Sequence, residues 1–345
     1  MRSSTHEHGG RRPGSDHRAL SQDRRFRVCV FAALAALLLV GALYAIGAGS
    51  IRLPVGQVLD ALAGRDAPQR RVVWDIRLPR MLLAGLVGMN LAVSGVILQA
   101  VMGNPLADPS IIGVSSGAGL LGIGIMLVAP THLALVTPAA FAGAMGAASA
   151  IFLLAWRGGI RPLRIILAGV AVSALCGAGI SAFMVLFSDR VASALMFMNG
   201  SMSMRGWTEV RGLWPYSLVA LSLALCFSRR LNVLVLGDDA AGSMGMNVQA
   251  NRVFFTALAA VLAASAVSAV GLLSFVGLIV PHIMRMVLGP DHRLTVPGSI
   301  LAGAVLLIIS DTLSRTVFAP VEIPVGITMT VLGVPFFLFL LRRAL

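Results

Sequence analysis

Apolar residues along this chain gather into runs of roughly 17 to 25 residues, long enough to cross a bilayer as single helices and too long for the short alternating segments of a membrane barrel. The pattern predicts an all-α membrane protein of about ten transmembrane helices. The spans fall at Val28–Ala48, Met81–Met102, Gly113–Ala129, Leu133–Trp156, Ile165–Phe187, Leu213–Phe227, Val253–Ala269, Gly271–Leu288, Val296–Ser310 and Ile323–Leu341. A further apolar stretch, Val191–Met198, is too short to cross, so a re-entrant or interfacial piece is expected there. "GAGLLGIGI" (Gly117–Ile125) and "AFAGAMGAASA" (Ala140–Ala150) carry small residues that let helices approach closely in lipid, and packing is the role read for them.

Composition agrees: 57% of the 345 residues are hydrophobic, 12% are charged, and mean hydropathy is +0.89. Residues 1–27 read as a disordered cytoplasmic tail and 28–345 as one transmembrane domain. The tail's "THEHGG" is a weak metal binder at most, and no metal site is expected. The first apolar run is longer than the core of a cleaved signal peptide, so it is read as a retained span.

All 27 cationic side chains are arginine. With ten spans and both ends on one side, seventeen arginines fall on the side of the termini and ten opposite, which puts both termini of this multi-pass protein in the cytoplasm. The absence of lysine matters for chemistry. A phosphate-binding P-loop needs a Lys to reach the β and γ phosphates, so ATP and Mg, if used, belong to another polypeptide, and this chain is expected to bind no cofactor.

Enzyme chemistry finds no foothold. Cys29, Cys176 and Cys226 sit within or at the ends of spans without CxxC spacing, and no Ser/His/Asp set, HExxH motif or catalytic carboxylate pair is present. Inside the spans ionisable groups are few: His282, Asp311 and, just before the last span, Glu322. Asp311 and Arg315 are four residues apart, which suits an intrahelical ion pair, and His282 suits a packing role. A proton-coupled secondary carrier, the alternative function class, would call for a richer buried relay.

Between the sixth and seventh spans the apolar pattern breaks at "VLGDDAAGSMGMNVQANR" (Val235–Arg252) on the cytoplasmic side. Asp238 and Asp239 favour a helix N-terminus, and Gly242 and Gly245 permit a sharp turn between short helices. Read from the residues alone, the segment is a surface turn.

Five stretches in order, "DIRLPRML" (Asp75–Leu82), "SGVILQAVMGNPLADPSIIGVSSGAG" (Ser94–Gly119), "GLLSFVGLIVPHIMRMVLGPDHR" (Gly271–Arg293), "SDTLSR" (Ser310–Arg315) and "EIPVGITMTVLGVPFFLFLL" (Glu322–Leu341), resemble the iron-chelate, haem and cobalamin permease family of ATP-binding cassette importers. The resemblance runs from about Asp75 to the C-terminus. It implies a ten-span permease that pairs with a second copy of itself, two copies of a cytoplasmic ABC ATPase and a periplasmic substrate-binding protein. It also implies a place in a bacterial inner membrane, with lipid as a partner and no nucleic acid.

On this resemblance, Asp238, Asp239, Ala241, Gly242, Gly245 and Met246 belong to the ATPase-coupling segment. The family often has Glu at the place of Asp239 and Arg at that of Gly242, so the contacts in detail differ here. Arg77, Arg80 and Arg315 match family arginines that face acidic residues of the binding protein. Met196, Met198, Met202 and Met204 follow the fifth span, where family members approach the substrate pathway. Thioethers there would form a soft, adaptable lining, Met196, Met198 and Met202 foremost, and this points to haem as cargo ahead of a ferric siderophore and of cobalamin.

Overall fold

The computed structural model describes residues 24–49, 51–65, 67–156 and 162–344. Within them the chain is helical and contains no strand, as befits apolar runs whose backbone groups must bond internally in lipid. Helix α1 spans Arg24–Gly47, α2 Val55–Leu62 and α3 Ala67–Arg71, which passes through a π-helical stretch, Val72–Arg77, into α4, Leu78–Met102. Then follow α5 (Val114–Val128), α6 (Val136–Ala155), α7 (Pro162–Leu186), the short α8 (Val191–Met198), α9 (Trp207–Cys226), α10 (Ser228–Leu234), α11 (Asp238–Ser243), α12 (Val248–Val270), α13 (Val276–Leu288), α14 (His292–Thr316) and α15 (Val325–Ala344).

Six helices, including α4 with its lead-in, are long and apolar enough to cross a membrane, and the bent pair α9–α10, hinged by 56°, gives a seventh. Three shorter apolar helices, α5, α13 and α15, complete the ten expected segments. Helices α4 and α12 form the buried centre, with α9, α13 and α14 packed around α4. Helices α1 and α7 lie at the rim, mostly uncovered by the rest of the chain. Between α5 and α6 the small residues do as expected: a Cβ at Gly117 would collide with the Gly143 carbonyl oxygen, so the backbones touch.

Several expected boundaries move: the sixth span begins at Trp207, the seventh at Val248, and the ninth runs His292–Thr316. Arg24, Arg25 and Arg27, assigned to the tail, already lie in α1, while residues 1–23 and Arg157 and Arg161, expected on the cytoplasmic side, fall outside the described residues. The eighth span does not begin at Gly271. Residues 271–274 are not helical, and the helix starts only at Val276, leaving about 20 Å of helix for a hydrocarbon core of about 30 Å. The missing depth is filled by the turn after α8. Leu272 N–H donates to the Phe197 carbonyl (2.9 Å), Ser201 N–H to Val270 (2.8 Å), and Gly326 N–H to Gly200 (3.2 Å). Gly271 takes φ +85°, and a Cβ there would strike the Phe197 carbonyl, so glycine alone permits this join. The stretch expected to be re-entrant or interfacial is thus a short helix sewn by its backbone between α12 and α15.

Candidate functional site

The segment expected to couple to an ATPase stands out as two short helices, α10 and α11, followed by the turn Met244–Asn247. Asp238 and Asp239 occupy the first turn of α11, where carboxylates suit the helix dipole. Asp238 is not free for a partner on its inner side: Arg252 of α12 holds both its oxygens, at 2.7 and 2.9 Å. Asp239 and Gly242 are exposed, Ala241 is fully buried, and Met246 packs against the core. Gly245 has φ +79°, which closes the turn back to α12. Val235, Leu236 and Met244 are exposed apolar side chains on the same segment. Beside the turn, Arg230, Val233, Met244 and Asn251 help line an open cavity of about 400 Å³.

Three residues that sequence reasoning passed over fix this segment in place. Asn232 of α10 donates from Nδ2 to Asp291 Oδ1 (2.7 Å), and its Oδ1 accepts the backbone N–H of His292 (2.8 Å) and faces His292 Nδ1 at 2.7 Å. Asp291 also caps α14 by accepting the Arg293 N–H and binds the Arg293 guanidinium. Burial pushes the Asp291 carboxyl up, but bonds from Arg293 and Asn232 outweigh it and bring its pKa down to about 2. The α10 surface is therefore tied to the junction of α13 and α14. The only trace in the sequence is an amide inside "RRLNVL" and the turn "GPDHR".

At the opposite end lie Arg77 and Arg315, expected as docking residues, and neither stands open on the surface. Both are buried, 7% and 8% exposed. Arg77 donates to the carbonyls of Ile46 (2.7 Å), Gly47 (3.0 Å) and Ile51, and Arg315 to those of Ala48 (2.7 Å) and Ala45. The last carbonyls of a helix have no intrahelical partners, and two guanidinium forks supply them at the end of α1. Arg80 grips Asp311 through Nε (3.0 Å) and Nη2 (2.9 Å) and reaches Glu322 through Nη1 (2.9 Å). The expected Asp311–Arg315 pair exists at 3.7 Å but is secondary to Arg80. Glu322 also accepts from the Ser203 hydroxyl (2.6 Å), joining the turn after α8 to this network. Burial raises the Glu322 carboxyl, yet Ser203, Arg80 and Arg315 hold it below the usual range. Of the ten arginines expected on the outer side, Arg52, Arg65, Arg70, Arg71, Arg190 and Arg211 are exposed.

The methionines divide. Met196 is half exposed, Met198 is partly exposed, and Met204 stands fully out with φ 60°. Met202, expected on the pathway, is 1% exposed and packs in the core. His282 packs edge-on to Phe336, ring centroids 6.0 Å apart, consistent with a packing residue. Among the described residues no three His, Cys, Asp or Glu side chains converge as metal ligands.

The model of the FecCD transport family matches residues 37–343. The chain belongs to that family. A FecCD relative, the Fe(3+)-citrate import system permease protein YfmE of Bacillus subtilis, is 38% identical over 310 residues, covering 90% of this chain and 93% of the relative. The hemin transport system permease protein HmuU of Yersinia pestis is 41% identical over 279 residues, covering 79% and 83%. The cobalamin import system permease protein BtuC of Halobacterium salinarum is 41% identical over 273 residues, covering 79% and 73%. Among solved structures, an inward-facing metal-chelate type ABC transporter superposes with a TM-score of 0.84 at 30% identity, covering 91% of this chain and 99% of that one. As a FecCD member the chain is a membrane-spanning ABC transporter permease, and the ten segments fit that fold.

Proposed function

We propose that the chain is the permease subunit of an ATP-driven importer that carries an iron chelate from the periplasm to the cytoplasm. Two copies would form the pathway, two ATPase subunits would engage α10–α11 from the cytoplasm, and a periplasmic binding protein would deliver the cargo. The observation that carries this reading is the α10–α11 segment itself. It is exposed, carries Asp239 and apolar Leu236 and Met244 outward, and is clamped from behind by Arg252 and Asn232. A surface that is both open and rigidly connected to α12, α13 and α14 is what force transfer from an ATPase requires. An ion-coupled carrier would have no use for it.

Within the chelates, haem stays the first cargo to test, on the exposed thioethers of Met196 and Met198. Relatives named for iron citrate, hemin and cobalamin lie within 38–41% identity, so similarity does not rank them. Docking rests on the outer face, where Arg52, Arg70 and Arg71 present positive charge and Arg80 keeps one edge on half-exposed Glu322.

The test is ATP-dependent accumulation in vesicles containing the permease and its ATPase, with the binding protein loaded with haem, ferric citrate or a ferric hydroxamate. Asp239→Arg should abolish uptake of whichever chelate is carried while leaving the melting temperature unchanged. Uptake that proceeds at full rate without ATP overturns the importer reading. Uptake of siderophore without haem overturns only the haem assignment.

A further inference from the structure

Helices α6 and α9 stand apart above α12 and leave a groove that runs down the side of the molecule. Its outer part, about 440 Å³, is edged by Arg205, Thr208 and Glu209 and floored by Ser265 and Ser268. Tyr216 lines this cavity and also the next one, about 470 Å³, whose walls are Val219, Leu223, Phe254 and Leu258. Phe141 of α6 meets Tyr216 across the groove, ring centroids 5.4 Å apart. From Glu209 to Leu223 the groove follows α9 for about 21 Å at ~1.5 Å per residue. That exceeds the ~15 Å of one leaflet's hydrocarbon.

Polarity changes along this axis in one direction: a cation and an anion at the mouth, hydroxyls below them, and only apolar side chains deeper. A phospholipid carries this same gradient from headgroup through esters to tail, whereas a transmembrane partner helix, apolar along its length, would leave the charges and hydroxyls of the outer part unmatched. The depth of the mouth is independently marked. Trp207, at the start of α9, stacks on Trp74 (6.5 Å) and donates its indole N–H to the Trp74 carbonyl (2.8 Å), a tryptophan pair of the kind that sits at headgroup level.

The two charges also have capacity to spare. Arg205 reaches Glu209 only through a long 3.5 Å contact, which among the described residues leaves most of its five donors uncommitted. Glu209 accepts the Gly206 N–H at 2.8 Å and retains further lone pairs. We propose that the α6–α9–α12 groove binds one zwitterionic aminophospholipid from the outer leaflet, its phosphate on Arg205, its ammonium on Glu209, and one acyl chain past Tyr216 into the inner cavity.

Gly212 offers a clean way to close the groove: it lines the outer cavity, and a Cβ there meets nothing within 4 Å. The experiment is native mass spectrometry of the full-length permease extracted from bilayers of equal phosphatidylethanolamine, phosphatidylcholine and phosphatidylglycerol. One phosphatidylethanolamine per chain is expected in preference to the other two. Arg205→Ala should cut retention of all three by about tenfold, the size of a lost charge-assisted contact. Glu209→Gln keeps an oxygen for the Gly206 N–H, so it should erase the preference for the ammonium headgroup without emptying the site. Gly212→Phe should remove bound lipid at unchanged melting temperature. Equal retention of the three lipids, or retention unaffected by Gly212→Phe, overturns the proposal, and a changed oligomeric state in Gly212→Phe reassigns the groove to a subunit contact. Since the readout uses the permease alone, it does not depend on which cargo is imported.

Discussion

Asp291 shows how much a single side chain can organise. It caps α14, neutralises Arg293 and receives the Asn232 amide that anchors α10. Its carboxyl titrates near 2 in the folded chain against an ordinary 3.8. A depressed folded pKa means that the charged form stabilises the fold fully above about pH 4, and that this contribution drains away as pH falls toward 2. Asp291→Asn should therefore lower the melting temperature by a constant amount above about pH 5, and the gap to wild type should close between about pH 4 and pH 2. Thermal unfolding across that range checks it; a gap independent of pH would assign the effect to cap geometry rather than to charge. Arg77 and Arg315 teach the complementary lesson. A guanidinium conspicuous in the sequence as an outward charge is here consumed by helix-end carbonyls, because leaving those unpaired in a buried setting costs more than losing an exposed cation.

At the level of elements, the break between α12 and α13 is where local propensity yields to packing. The apolar run continues through "GLLSF", and nothing in its hydropathy stops a helix. The helix stops because the end of α8 inserts its Phe197 carbonyl and claims the Leu272 N–H. Gly271→Ala places a Cβ against that carbonyl at φ +85° and should displace the α8 turn from α12 and α15. A drop in melting temperature of several degrees, the range expected of ~2 kcal/mol in a chain of this size, is the expected outcome, with faster proteolysis in residues 199–206. A variant as stable and as protected as wild type would show that the join tolerates a side chain. The polar segment before α12 is the opposite case: its acids, glycines and polar turn residues coincide with α11 and the turn after it, and local chemistry suffices.

For the molecule as a whole, charge at the outer end sorts into internal and external arginines. Asp311 and Arg80 are 4% and 11% exposed, and breaking such a buried pair costs about 3–5 kcal/mol because the orphaned charge stays behind. Arg80→Glu or Arg315→Glu should hence lower stability, and any loss of binding-protein association in them would follow from misfolding. The exposed pair Arg70 and Arg71 separates the two effects. Converting both to Glu should leave melting unchanged, weaken association with the acidic face of a binding protein, and flatten its dependence on ionic strength. Association measured at low and high salt decides it; an unaltered affinity and salt slope would move docking away from α3.

Hydrophobic run length determined, without any coordinates, that the chain crosses a membrane about ten times, and the order of five motifs determined its family, since both are properties of neighbouring residues along the chain. The short helix and turn at residues 238–247 were legible for the same reason. What only the tertiary structure decided are the relations between residues far apart in sequence. Arg77 and Arg315 serve carbonyls 26 to 270 positions away, Met202 turns into the core, Asn232 finds Asp291, and α13 is shortened by a carbonyl from α8. Helix ends, buried donors and close backbone contacts are satisfied by whatever packing brings near, and a one-dimensional pattern records the demand for a partner but not which partner meets it.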